Sequence, residues 1–263
     1  MGTPDATHVG RQPPNLWSTV RTVSLGDPIL FLIGSVFLIP AILIAIPVHE
    51  LGHALAAVLM GDPSPRNRGY FRPEPRLFIN VYGVVAAFLA NVTWGNRVPV
   101  NEYRLDGIGR KVIYALGGPI ANLLVAALFG IVLRLLVPAS GPADPGTFRQ
   151  PPLELLATVC YAIFFLNLST FAFQLLPVPG LDGWRVVEAL FRSRNPRFFF
   201  NVAANMQTIW VIALLVVLFA PLLLRFSVLN AAVAIFFQPA SNAILGTCAR
   251  YVVLQPCLVS GGF

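Results

Sequence analysis

Residues 28–60 read PILFLIGSVFLIPAILIAIPVHELGHALAAVLM, an apolar run whose one acidic residue is Glu50. As a single helix rising 1.5 Å per residue it would extend roughly 50 Å, against a hydrocarbon core of about 30 Å that about 20 helical residues cross. Its ends must therefore protrude, or the helix must bend at Pro40 and Pro47. Four further apolar runs of spanning length follow at 112–137, 153–176, 206–224 and 226–254. Gln238, Pro239 and Asn242 interrupt the last, which is compatible with one helix or a broken one. Between the first two lies 77–95, apolar but short and carrying Asn80, Gly83 and Asn91. The fold class is accordingly all-α and multi-pass: about five transmembrane helices plus one re-entrant or interfacial segment.

Composition agrees. Of 263 residues 56% are hydrophobic and 11% charged, where a soluble domain carries roughly 25% charged residues. The 23 Pro and 21 Gly are scattered through apolar stretches, which excludes a collagen-like or low-complexity chain. All 18 basic residues but Lys111 are arginine, and the net charge is +7. In so apolar a chain that excess reports sidedness in a bilayer rather than nucleic-acid binding, and arginine usage points to a GC-rich bacterial genome. Cys160, Cys248 and Cys257 have neither metal-ligand nor disulfide spacing and read as lipid- or core-facing thiols. The organisation expected is a polar tail over 1–27 with no cleaved signal peptide, one membrane-embedded domain over 28–254, and a short tail over 255–263.

Within the first run, His49, Glu50, Leu51, Gly52 and His53 form a His-Glu-x-x-His pattern. On a helix the i, i+4 spacing puts both imidazoles on one face, where they can hold Zn²⁺ while Glu50 projects beside an open coordination position. A carboxylate inside an apolar helix costs several kcal/mol and usually marks function. A catalytic zinc needs a third protein ligand, and the chain offers 11 acids. Asp182 stands out, because it follows Leu176, Pro177, Val178, Pro179, Gly180 and Leu181, where prolines and glycines stop a helix and let a short carboxylate turn back. Taken alone, the same turn would read as an Asp-capped helix end.

These pieces resemble the site-2 protease family of intramembrane zinc metallopeptidases, in its compact bacterial branch without PDZ or CBS domains. The resemblance rests on HELGH at 49–53 followed by Gly61 and Asp62, on GGPIAN at 117–122, on VPVN at 98–101, and on 167–183, which ends in PVPGLDG. It covers residues 29 to about 190. It implies one zinc per chain bound by His49, His53 and Asp182, with Glu50 as catalytic base. It further implies that Asn122, Asn167 and Gln174 position the substrate or the oxyanion. At Gln174 the chain departs from the family, which usually has Asn three residues before the first proline of the later motif; glutamine offers the same amide on a stem about 1.5 Å longer.

One zinc shared by His53 and Asp182 requires the C-terminal ends of the first and third certain spans to lie on one side of the bilayer. If 77–95 also crossed, those ends would face opposite sides, so it must be re-entrant or interfacial. The site-bearing side then receives twelve basic residues, from Arg66 to Lys111 and from Arg185 to Arg197, against Arg11, Arg21, Arg149 and Arg225 opposite. Basic loops stay cytoplasmic, which places the site toward the cytoplasm of a bacterial cell membrane and the N-terminus outside. The expected reaction is hydrolysis of a peptide bond in or beside a transmembrane helix of a membrane-protein partner, with Glu50 moving the proton. An unpaired strand edge within 71–85 would hold the unwound substrate by β-addition, the alternative for this stretch being a plain interfacial loop. Two rivals are a pseudoprotease that binds membrane helices without cutting them, supported by Gln174 alone, and a transporter, which would show two comparable halves.

Overall fold

The computed structural model describes residues 28–72, 74–101, 103–136, 151–224 and 227–246. The two tails, Cys248, Cys257 and the end of the last apolar run lie outside them. Helix α1 spans Pro28–Leu59 without interruption, with Pro40 and Pro47 both inside it. A short α2, Ser64–Asn67, and a single 3₁₀ turn, Pro75–Leu77, lead to α3, Val81–Ala90. Helices α4, Ile108–Leu136, and α5, Pro151–Gln174, follow. Then come α6, Asp182–Phe191, α7, Pro196–Ala204, α8, Met206–Leu224, and α9, Val228–Leu245.

Four of these, α1, α4, α5 and α9, are long and apolar enough to cross a membrane. Helices α7 and α8, bent by 71° at Asn205, make a fifth span when taken together. Within the last run Val228–Leu245 is one helix across Pro239, and Gly246, at φ 85°, ends it. Helix α3 has 10 residues, a length of about 15 Å that cannot cross a bilayer.

The expectation of a strand edge within 71–85 is not met: the described residues there form a 3₁₀ turn and the start of α3. The local reason is capping. Asn80 accepts hydrogen bonds from the Tyr82 and Gly83 amides, which nucleates the helix, and Asn91 in the left-handed region ends it. Backbone without helix or strand lies further on, from Val92 to Val100.

Helix α5 is the centre of the fold. It packs on α4, α1 and α9, and Phe164, Leu166 and Leu168 are fully enclosed there. Cys160 is buried in the same core. Helices α1 and α4 cross with Gly52 against Gly117, where a Cβ on Gly117 would come 2.9 Å from the Ala56 methyl. Such small residues let two backbones approach closely where lipid supplies little hydrophobic drive for association. The crossing brings the His-Glu-x-x-His turn of α1 against the Gly117–Asn122 stretch of α4, and α6 packs on the same α4.

Candidate metal centre

His49 and His53 sit one turn apart on α1, at 2% and 3% exposure, and Glu50 at 4%. Asp182, at 6%, is the first residue of α6. Gly180, at φ 100°, allows the loop after α5 to turn there. The Nε2 atoms of the two histidines are 3.2 Å apart, and each lies 3.0 Å from Asp182 Oδ2.

The second nitrogen of each ring decides what this triangle means. His49 Nδ1–H donates to Asn122 Oδ1 at 2.7 Å, and His53 Nδ1–H donates to the Tyr114 carbonyl at 2.8 Å. In a neutral imidazole that leaves Nε2 with a lone pair. Two nitrogen lone pairs and a carboxylate oxygen then face one another, an arrangement that a cation resolves. The fit to zinc is close, because a tetrahedron with bonds of about 2.0–2.1 Å has edges of about 3.3 Å. Among the described residues this is the one cluster of three such side chains able to hold a metal ion, so the chain has a candidate site for one zinc.

Asn122 is itself held. Its Nδ2 donates to the Ala45 carbonyl at 3.0 Å and to Asn167 Oδ1 at 2.8 Å, and Asn167 Nδ2 donates to the Ile163 carbonyl at 2.8 Å. Asn122 and Asn167 thus form a buried chain that ends on His49, linking α1, α4 and α5. Gln174 lies elsewhere, at the C-terminal end of α5, where its Nε2 donates to the Thr93 carbonyl at 3.4 Å. Its side chain lines the small cavity, about 50 Å³, that also holds His49, Glu50, His53 and Asp182.

Gly118 belongs to the GGPIAN stretch, and Gly95, Arg97 and Arg185 were not singled out from sequence. A Cβ on Gly118 would stand 2.7 Å from His49 Cε1 and 2.8 Å from His49 Nε2, so only glycine fits beneath the two rings. A Cβ on Gly95 would stand 2.7 Å from Glu50 Oε1. The run 92–100 passes beside Glu50, with Trp94, Gly95, Arg97 and Val98 lining the same small cavity as that carboxylate. Arg97 donates to the Gly180 carbonyl at 2.8 Å, and Arg185 lies 3.8 Å from Asp182 Oδ1 with its guanidinium 5.5 Å from the Tyr114 ring centre. Their signal in the sequence was weak: glycines and arginines are common here, and only the packing shows which ones meet the motif.

Comparison with known proteins agrees with this geometry. YwhC of Bacillus subtilis is 31% identical over 166 residues, 59% of this chain and 68% of that protein. Rip2 of Mycobacterium tuberculosis is 29% identical over 213 residues, 79% of this chain and 74% of that protein. Rip2 of Mycolicibacterium smegmatis is 26% identical over 161 residues, 59% of this chain and 57% of that protein. Each carries zinc metalloprotease in its name. No family model and no solved structure matches. A buried His, His and Asp triangle in a multi-pass helical fold, together with these relatives, means that the chain belongs to the site-2-protease-like family of zinc metalloproteases.

Proposed function

We propose that this protein hydrolyses peptide bonds in or beside the membrane-spanning helices of other membrane proteins, with His49, His53 and Asp182 as zinc ligands and Glu50 as the catalytic base. The observation that carries the reading is the triangle of three proton-free acceptor atoms at 3.0–3.2 Å with a carboxylate on the adjoining residue. Bound zinc supplies the Lewis acidity that makes water a nucleophile near neutral pH. The protein's own groups do the rest. Asn122 and Tyr114 hold the imidazoles with Nε2 turned inward. Glu50 takes the proton of the attacking water and returns it to the leaving amine. Gln174 lines the cavity, which supports a role for it in orienting the substrate amide.

Peptide groups in a helix are shielded by their own hydrogen bonds, so a substrate must unwind before it is cut. The run 92–100, outside any helix or sheet and lying beside Glu50, is the backbone against which an unwound segment would lie. Twelve basic residues on the site-bearing side favour a cytoplasmic site in a bacterial cell membrane. Single cysteines at Asn67 and Ser193, in a background lacking Cys160, Cys248 and Cys257, should label from the cytoplasmic side; labelling from opposite sides would contradict this topology. The reaction itself is tested by cleavage of a panel of single-span membrane proteins in proteoliposomes. Products should form with the native chain and not with Glu50→Gln, and cleavage that survives Glu50→Gln would remove the assignment.

A further inference from the structure

A second, larger cavity of about 830 Å³ opens beside the metal centre, and the two share Arg97, Val98, Tyr114 and Arg185 in their walls. These residues form a neck between an outer vestibule and the cavity of Glu50. The charged groups of the vestibule divide into two sets. On its outer wall Lys111 lies 3.3 Å from Asp106, and Arg192 lies 2.7 Å from Glu188, so both acids have cations of their own. At the neck Arg185 pairs with Asp182 at 3.8 Å, whereas Arg97 has no ion pair among the described residues. Arg97 donates to a neutral carbonyl, that of Gly180. Arg185 stacks on Tyr114 and stands 3.8 Å from an Asp182 whose other oxygen faces the histidines. Two guanidiniums lining the same two cavities offer planar forks that match a carboxylate with paired hydrogen bonds.

We propose that Arg97 and Arg185 read a carboxylate side chain on the substrate, within about two residues of the cut bond, and so make the protein selective for acidic sequences at the cleavage site. The inference rests on the proteolytic reading above. The spacing follows because both arginines line the same small cavity as Glu50, and an extended chain advances about 3.3 Å per residue. A peptide reaching Glu50 from the vestibule would pass the wall that both arginines line. A lipid phosphate would satisfy the same guanidiniums, but the neck leads to the catalytic carboxylate, which favours a peptide.

The test uses the full-length chain in vesicles of zwitterionic lipid and fluorescent peptides that differ only in Asp, Asn or Lys at positions flanking the scissile bond. Binding is measured to the Glu50→Gln protein, so it does not depend on turnover, and cleavage is measured with the native chain. The Asp peptide should bind about tenfold more tightly than the Asn peptide, the scale of one partly desolvated charge-assisted pair. Arg97→Glu, made in the Glu50→Gln background, should reverse the order in favour of the Lys peptide while zinc content stays at one per chain. Equal affinity for the Asp and Asn peptides would overturn the proposal. So would an Asp preference that survives Arg97→Glu, or one abolished by anionic lipid, which would assign the neck to phosphate. Should Arg97→Glu lose zinc, Arg97→Gln and the Asp to Asn ratio in the parent decide in its place. Selective binding without any cleavage by the native chain would sink the proteolytic reading and keep the neck; cleavage of all three peptides alike would do the reverse.

Discussion

Helices α5 and α9 are both apolar and both long enough to cross a membrane, yet 72% of the spanning window of α5 is buried inside the protein and 17% of that of α9. Hydropathy does not separate them, because lipid is as apolar as leucine and offers helices little reason to associate. What separates them is the polar and small-residue work each does. Helix α5 carries Asn167 in the chain that ends on His49, and Gln174 on the cavity wall. Helices α1 and α4 close on it through the glycine crossing at Gly52 and Gly117. Helix α9 packs on α5 and α4 but adds no side chain to the metal cavity. The catalytic unit is therefore α1, α4, α5 and the start of α6, with α8 and α9 at its edge.

The sharpest break of that division lies in the triangle. Replacing His49, His53 or Asp182 by Ala should leave metal analysis with no stoichiometric zinc, whereas Glu50→Gln should retain one zinc per chain and lose a factor of about 10²–10⁴ in rate, the range for a general base. Gly118→Ala follows, because its methyl would overlap both rings. Loss of zinc from an otherwise folded, membrane-inserted protein is expected, and full occupancy would show that α4 can withdraw from α1.

Smaller effects sharpen the distinction within the unit. Gln174→Ala should slow cleavage by about 10²-fold, the order for one lost oxyanion donor, without changing zinc content, and Gln174→Asn should recover most of the rate. Asn122→Ala should act on the metal instead, weakening zinc binding by about 10–100-fold, as loss of a ligand's hydrogen-bond partner does. Zinc titration with a competing chelator separates the two. The least change is expected at the edge: Leu214→Ala on α8 and Ile235→Ala on α9, at 56% and 64% exposure, should shift stability by no more than about 0.5 kcal/mol. A loss comparable to that of Asn122→Ala would mean that α8 and α9 belong to the catalytic unit after all.

The sequence by itself determined the helical, membrane-spanning class and the pairing of His49 with His53, because hydropathy and an i, i+4 spacing are local properties of a chain in lipid. It also pointed to Asp182, through the prolines and glycines that stop α5, and to 77–95 as a segment that does not cross, through the parity one shared metal imposes. It misread 71–85 as a strand edge, since β-branched and apolar residues there are compatible with either backbone until the Asn80 cap and the Asn91 turn settle it. Only the tertiary structure decided that Asn122 orients His49, that Gly118 lies under both imidazoles, and that Arg97 and Arg185 share a cavity wall. Those relations join residues 65 to 88 positions apart, and no periodicity along one chain encodes a distance between helices that close packing alone sets.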